Sequence, residues 1–322
     1  MSRVKKIFVN MNWLVFSQLI VTICVFIWTI LIARYLGVGE YGVYGFAISL
    51  SGILIIIADF GINTHIVRNV ATDNSIASKY LGNAIPLKSV FALVTFILTL
   101  AILFLMKCDE ITIKVTLLFV IALIILSFIN LFKGAFQAFE EVKYQGIGES
   151  ILHLILLVFI IITIHTEIGV FGIAISYILA NLIALAYLYH ALNKNIVTPK
   201  YELDWDFCKK ITMLSIPFAI TGILYSAYYF IDIIMLENLV GNYAAGIYNA
   251  AYKLIPVQNL LVSVYGAVIF PVMSNLFKRH EKLLILSYEK SVKYLLMLNH
   301  SIQYLDCYLF SCPNPVDLRI RI

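Results

Sequence analysis

The sequence predicts an all-α membrane protein, a polytopic helical bundle of about nine transmembrane helices. Three observations carry that expectation. Of 322 residues, 62% are hydrophobic and only 13% charged, with a mean hydropathy of +0.95; soluble domains are about a quarter charged. Apolar runs of about 20 residues recur along the chain, the length a helix needs to cross about 30 Å of hydrocarbon. Basic residues are sorted onto alternate links between those runs.

The apolar runs occupy roughly residues 12–35, 42–62, 84–106, 112–132, 147–165, 169–191, 212–237, 244–270 and 283–310. The first is longer than a signal-peptide core and carries no small-residue cleavage site, so it is expected to remain as a helix. The links are short. The longest polar one, residues 193–210, places Trp205 and Phe207 just before the seventh run, where aromatic rings favour the membrane interface. A cytoplasmic N-terminus puts seventeen Lys and Arg on inner links, among them Arg3, Arg68, Lys79, Lys88, Lys133, Lys143, Lys200 and Lys210. Only Arg34, Lys107 and Lys114 then fall on outer links. That is the positive-inside asymmetry, and it predicts a multi-pass protein of the cytoplasmic membrane. It also gives the net charge of +5 a topological meaning and excludes nucleic acid as the expected partner.

The cysteines Cys24, Cys108, Cys208, Cys307 and Cys312 form neither a CxxC pair nor a ligand spacing with histidine. Neither a disulfide framework nor a metal site is expected. No GxxxxGK[ST] phosphate cradle occurs, so no cofactor is expected and energy must come from an ion gradient, the substrate gradient or a partner.

An internal repeat runs at an offset of 204 residues. Gly37 matches Gly241, Gly42 matches Gly246, Tyr44 matches Tyr248 and Ala47 matches Ala251. Glycine suits a tight reversal between antiparallel helices, and the small residues after it suit close helix approach. Six spans per repeat is an even number, which predicts two copies of the same orientation about an axis along the membrane normal. The expected lobes are 1–195, six helices, and 196–322, a partial second lobe of helices seven to nine. A full second copy needs about 204 residues from Met213 onward, and about 110 are present. The expectation is a truncated C-terminus, with a frameshift near Asn299.

The chain resembles the polysaccharide-transporter branch of the multidrug/oligosaccharidyl-lipid/polysaccharide exporter superfamily. The likeness rests on Ala33–Ala71, with the turn Arg34-Tyr35-Leu36-Gly37 and the end Asp59-Phe60-Gly61. It also rests on Leu214–Val257, similar to the opening of that family's second lobe, and on Val268-Ile269-Phe270-Pro271. The resemblance implies a two-lobed exporter-type fold, not an enzyme. It implies a flippase that moves a lipid-linked oligosaccharide by alternating access, the headgroup crossing a central cavity while the lipid tail stays in the bilayer. The implied partners are that lipid-linked oligosaccharide, membrane lipid and polysaccharide assembly proteins. Family members usually have twelve to fourteen helices, so this chain departs from them in length.

Charge inside a bilayer is expensive and marks candidate substrate-binding residues. Lys253 in the eighth run either presents a cation to a pyrophosphate or acidic sugar, or forms a structural ion pair with Asp232 in the seventh. Tyr225, Tyr228, Tyr229 and Asp232 recur at i, i+3, i+4 and i+7, one polar-aromatic stripe that suits sugar rings or interhelical packing. Arg34 either guides an anionic headgroup or snorkels to lipid phosphate. Asp59, with Asn63 and Arg68 nearby, is either a helix-end hydrogen-bond partner or a coupling-ion ligand. His153 and Asn130 are expected as satisfied contacts between helices. Two alternatives to the flippase remain: a multidrug or cation exporter of the same fold, which should line its cavity with carboxylates, and a membrane-embedded glycosyl polymerase or transferase, which needs a larger outer loop.

Overall fold

A computed structural model describes residues 3–200, 204–252 and 287–297. All regular structure among them is helical: α1 (Arg3–Asp59), α2 (Ile62–Thr72), a 3-10 turn (Asn74–Ile76), α3 (Ala77–Leu105), α4 (Glu110–Ala138), α5 (Val142–Thr166), α6 (Val170–Asn195), α7 (Trp205–Val240) and α8 (Asn242–Tyr252). Residues 287–297 are also helical. The chain divides into two compact units, Met1–Asn249 and Ala250–Ile322.

Helix α1 is two membrane crossings. Gly37 lies at φ 65°, ψ 175°, outside helical geometry. Trp28, nine residues before it, and Tyr44, seven after it, both reach Tyr177: the Trp28 ring sits 5.8 Å from the Tyr177 ring, and the Tyr44 and Tyr177 hydroxyls are 3.1 Å apart. A straight helix would separate Trp28 from Tyr44 by about 24 Å. The chain therefore folds back at Gly37. Six helices of the described residues are long and apolar enough to cross a membrane, and the first of them, doubled at Gly37, gives seven crossings in alternating direction. One end of the bundle carries Gly37, the other Asp59.

Local chemistry sets the reversals. Asp109 caps α4, accepting from the Thr112 N–H at 3.2 Å and its hydroxyl at 2.5 Å. Asp204 caps α7, accepting from the Phe207 N–H at 3.1 Å. Each satisfies an N–H that the first helical turn leaves without a partner. Glu40 does the same across the fold, its Oε2 accepting from the Val170 N–H at 3.2 Å at the start of α6. The carboxylate there also meets the positive end of the helix dipole.

Two large clusters fill the bundle. Near Gly37, Trp28, Ile32, Leu36, Tyr44, Phe119, Ile160 and Ile173 are buried together. Near Asp59, Ile62, Ile66 and Val70 of α2 pack with Leu81, Phe132, Phe136, Leu188 and Ile211. The amphipathic α2 was not among the expected elements, because its polar residues read as a link. Large apolar side chains cover the outside instead: Leu93 is 61% exposed, Ile97 56% and Phe104 83%. In water such a surface would aggregate; against hydrocarbon it is the expected face of a membrane bundle.

Candidate functional site

Two polar groups hold most of the candidate residues, one at the Asp59 end of the bundle and one along the second half of α7. At the first, α1 ends on Asp59, and the next two residues, Phe60 (φ 44°) and Gly61 (φ 69°), take left-handed conformations that turn the chain into α2. This puts Asn63 back beside Asp59, where its Nδ2 donates to Asp59 Oδ1 at 2.6 Å. Lys88 of α3 completes the group, with Nζ 2.5 Å from Asp59 Oδ1 and 3.4 Å from Asn63 Oδ1. The Lys88 side chain is wholly buried and that of Asp59 is 30% exposed. Sequence reasoning assigned Lys88 to an inner link. It instead lies eleven residues into α3, and no solvated link reaches it. The signal was present: a lysine inside an apolar run needs a buried counter-charge. Arg68, expected near Asp59, is exposed on α2.

The second group is the stripe on α7. The Tyr225 and Tyr229 rings lie 5.3 Å apart and those of Tyr228 and Tyr229 6.4 Å apart. Tyr225 and Tyr228 are 64% and 76% exposed. Asp232, also exposed, accepts a hydrogen bond from the Tyr248 hydroxyl at 2.8 Å across the Gly241 turn. The adjacent flank of α7 packs on the end of α1 and the turn that follows it: Ser215, Phe218 and Ala219 against Gly61, and Gly222 against Ile56. Tyr225, Tyr228 and Asp232 lie on the exposed flank of α7, with Tyr229 half-buried at its edge. Lys253, the expected partner of Asp232, lies outside the described residues.

Arg34 is exposed at the Gly37 end. It stands a whole crossing away from Asp59, so the candidate residues do not converge on one point. A further polar group escaped sequence reasoning. Lys133 of α4 pairs with Glu149 of α5 at 2.6 Å, and His153, one turn on, has a buried Nδ1 with no partner among the described residues. His153 was expected as a satisfied contact; that nitrogen is not satisfied.

Outside the crossings, charge is tuned by neighbours. Hydrogen bonds from Phe207 and Lys79 hold the Asp204 carboxyl below the usual carboxylate range. Burial, then Arg68, pushes His65 down. Burial, with Glu237 and Asp109 beside it, pushes the Cys108 thiol up to about 11.

Chemically, the α7 stripe offers aromatic faces, hydroxyls and one carboxylate, a set that stacks on and hydrogen-bonds to a polar ring. The Asp59 group offers a carboxylate already neutralised by an internal cation.

The family described as polysaccharide biosynthesis protein matches residues 7–277 of the chain. The capsular polysaccharide biosynthesis protein CapF of Staphylococcus aureus is 21% identical over 287 residues, 85% of this chain and 67% of that protein. Among solved structures, the inward-facing conformation of a multidrug resistance MATE family transporter of the MOP superfamily superposes with a TM-score of 0.61 at 14% identity, over 85% of this chain and 68% of that one. The outward-facing conformation of a MATE family transporter of the same superfamily gives 0.60 at 14% identity, over 96% and 75%. These likenesses establish the fold.

Proposed function

We propose, from the premise that the chain belongs to the polysaccharide biosynthesis protein family, that this membrane transporter flips a lipid-linked oligosaccharide across the cytoplasmic membrane. It does so by alternating access, with its N-terminus in the cytoplasm and its Asp59 end facing inward. The positive-inside asymmetry supports that orientation: Lys79, Lys143, Lys194, Lys200, Lys209 and Lys210 all belong to the Asp59 end.

The observation that carries the reading is the exposed stripe on α7. Exposed Tyr225, half-buried Tyr229 and exposed Asp232 make a polar-aromatic face on a helix long and apolar enough to cross a membrane. Sugar rings stack on such faces, and the carboxylate accepts from sugar hydroxyls. Lys253 supplies the cation for the pyrophosphate, and Arg34 meets the headgroup at the outer end. Asp59 holds Lys88 and Asn63 and keeps the base of the first lobe fixed. An exporter of organic cations needs open carboxylates, and the pairing of Asp59 with Lys88 leaves one fewer.

The test is transport by purified protein in liposomes, using a fluorescent undecaprenyl-pyrophosphate oligosaccharide and a membrane-impermeant reagent that destroys sugar on the outer leaflet. Protected sugar should become accessible only in vesicles containing the protein. Tyr225→Ala, Asp232→Asn and Lys253→Met should each slow that step at equal protein level. Transport of an organic cation with no movement of the sugar lipid would overturn the reading in favour of the exporter.

A further inference from the structure

The two matched glycine turns pack against each other, and the contact has the form of a two-fold interface within one chain. Gly241, like Gly37, breaks its helix with a positive φ and a near-trans ψ: φ 105° and ψ 173°, against 65° and 175°. A side chain on Gly42 would run into the backbone carbonyl of Asn242, and one on Gly246 into that of Val38. With the repeat offset of 204, Val38 corresponds to Asn242 and Gly42 to Gly246. One contact is thus the other with its partners exchanged, the mark of an isologous surface. Gly45 corresponds to Asn249, and these two meet each other: a Cβ built on Gly45 lies 2.5 Å from Asn249 Nδ2 and 3.2 Å from Asn249 Cβ. They sit on the pseudo-two-fold axis.

Asn249 is the anomaly in this seam. It is only 3% exposed, and its Nδ2 is buried with no hydrogen-bond partner among the described residues. Asn242, two turns earlier on the same face of α8, carries an Oδ1 in the same condition. A buried primary amide without a partner costs free energy, and apolar packing against Gly45 would need only a side chain of similar branched shape, such as Leu. The seam itself is close. Glycine presents no side chain to interlock, and the backbones meet edge to edge.

We propose that Asn249 is a masked sugar-binding donor: its amide is covered by Gly45 in this conformation and turns to the hydroxyls of the oligosaccharide headgroup when the seam parts. This rests on the flippase reading and assigns that reading a residue that neither charge nor aromatic pattern singles out. The asymmetry at the axis follows from it. Gly45 is the lid without a side chain, and Asn249 the group it covers.

Two measurements on the full chain test this. In a variant with all five native cysteines replaced, Gly45→Cys and Asn249→Cys should cross-link on oxidation, since their Cβ positions stand 3.2 Å apart, a few tenths of an ångström inside the disulfide range of about 3.5–4.5 Å. Flipping of the labelled sugar lipid in liposomes should stop on oxidation and return with reductant to the slowed rate of a protein without the Asn249 amide. Asn249→Leu keeps the branched heavy-atom shape and removes the amide. It should leave resistance to denaturation unchanged or raised, and slow flipping about tenfold, the factor set by losing one hydrogen bond of ~1.4 kcal/mol. Failure to cross-link, flipping at full rate in the oxidised pair, or full flipping by Asn249→Leu would each overturn the proposal. The flippase reading fails separately: the unaltered protein would then move no sugar lipid. In that case single Asn249→Cys, labelled by an impermeant maleimide in intact vesicles, still reports the seam. Slow, steady labelling supports its opening, and complete protection refutes it.

Discussion

Replacing Lys88 with Met should cost the protein about 2–4 kcal/mol. The ammonium is buried completely and stands 2.5 Å from Asp59 Oδ1. Methionine retains most of the volume, so the loss is electrostatic and leaves Asp59 with only its hydrogen bond from Asn63. Removing one partner of a buried pair typically costs about 3–5 kcal/mol, because the other charge remains. Asp59 is 30% exposed, so water relieves part of that, which sets the range toward the lower side. Adding Asp59→Asn removes the stranded charge and retains a side-chain oxygen to accept from Asn63. The double variant should therefore recover at least ~1.5 kcal/mol relative to Lys88→Met alone, a coupling well outside additivity. The assay is denaturation of the purified protein in mixed micelles by increasing SDS, for wild type, both single variants and the double. Additive losses, with the double variant the least stable of the four, would refute the claim that Lys88 exists to neutralise Asp59.

Gly37→Ala and Gly241→Ala should each cost about 1–3 kcal/mol in the same assay, because their positive φ with extended ψ is a region open to glycine almost alone. No neighbouring atom lies within 4 Å of a Cβ at either position, and the same holds at Gly39, whose φ is not positive, so Gly39→Ala should be close to neutral and isolates the backbone effect. Asp204 has a folded pKa below its unfolded value of about 3.9, so its contribution is present above that pH and disappears as pH falls through the folded pKa. The stability gap between wild type and Asp204→Asn should accordingly narrow on acidification below about pH 4; a gap independent of pH would count against the cap. Tyr248→Phe frees Asp232 from its hydroxyl donor and should change the apparent KM of flipping more than its maximal rate; an equal loss in a sugar-free lipid control would assign the pair to packing.

The crossings were legible in the sequence because length and hydropathy alone define them, and the seven described ones fall where the apolar runs do. The Gly37 reversal was legible as well, through its match to Gly241. The amphipathic α2 was not, since its four buried residues, Ile62, His65, Ile66 and Val70, alternate with polar ones that resemble a loop. Lys88 and Lys133 were misread for a common reason. Each lies inside a helix with a carboxylate opposite, Asp59 and Glu149, and although a lysine in an apolar run signals a counter-charge, its partner stands on another helix that the local pattern does not name. On the candidate site, the stripe Tyr225–Asp232 follows from helical spacing, whereas the link from Asp232 to Tyr248 depends on how the Gly241 turn brings two helices together. Asn249 gave no sequence signal, because its meaning comes from the glycine that covers it.

That meeting of Gly45 with Asn249 also constrains how such a chain can descend from a duplicated gene. In a pair of identical ancestral halves, every off-axis contact is made twice, and both copies are free to keep the same residues, as Gly42 and Gly246 do. A position on the axis faces its own duplicate. There two asparagines would collide and two glycines would leave a hole, so a close fit requires one copy to shrink while the other fills the space. Divergence at 45 and 249 is then the signature of a fused homodimer whose halves have lost the freedom to exchange places. Restoring identity at that one pair, in either direction, should damage the seam more than restoring it at any neighbouring off-axis pair.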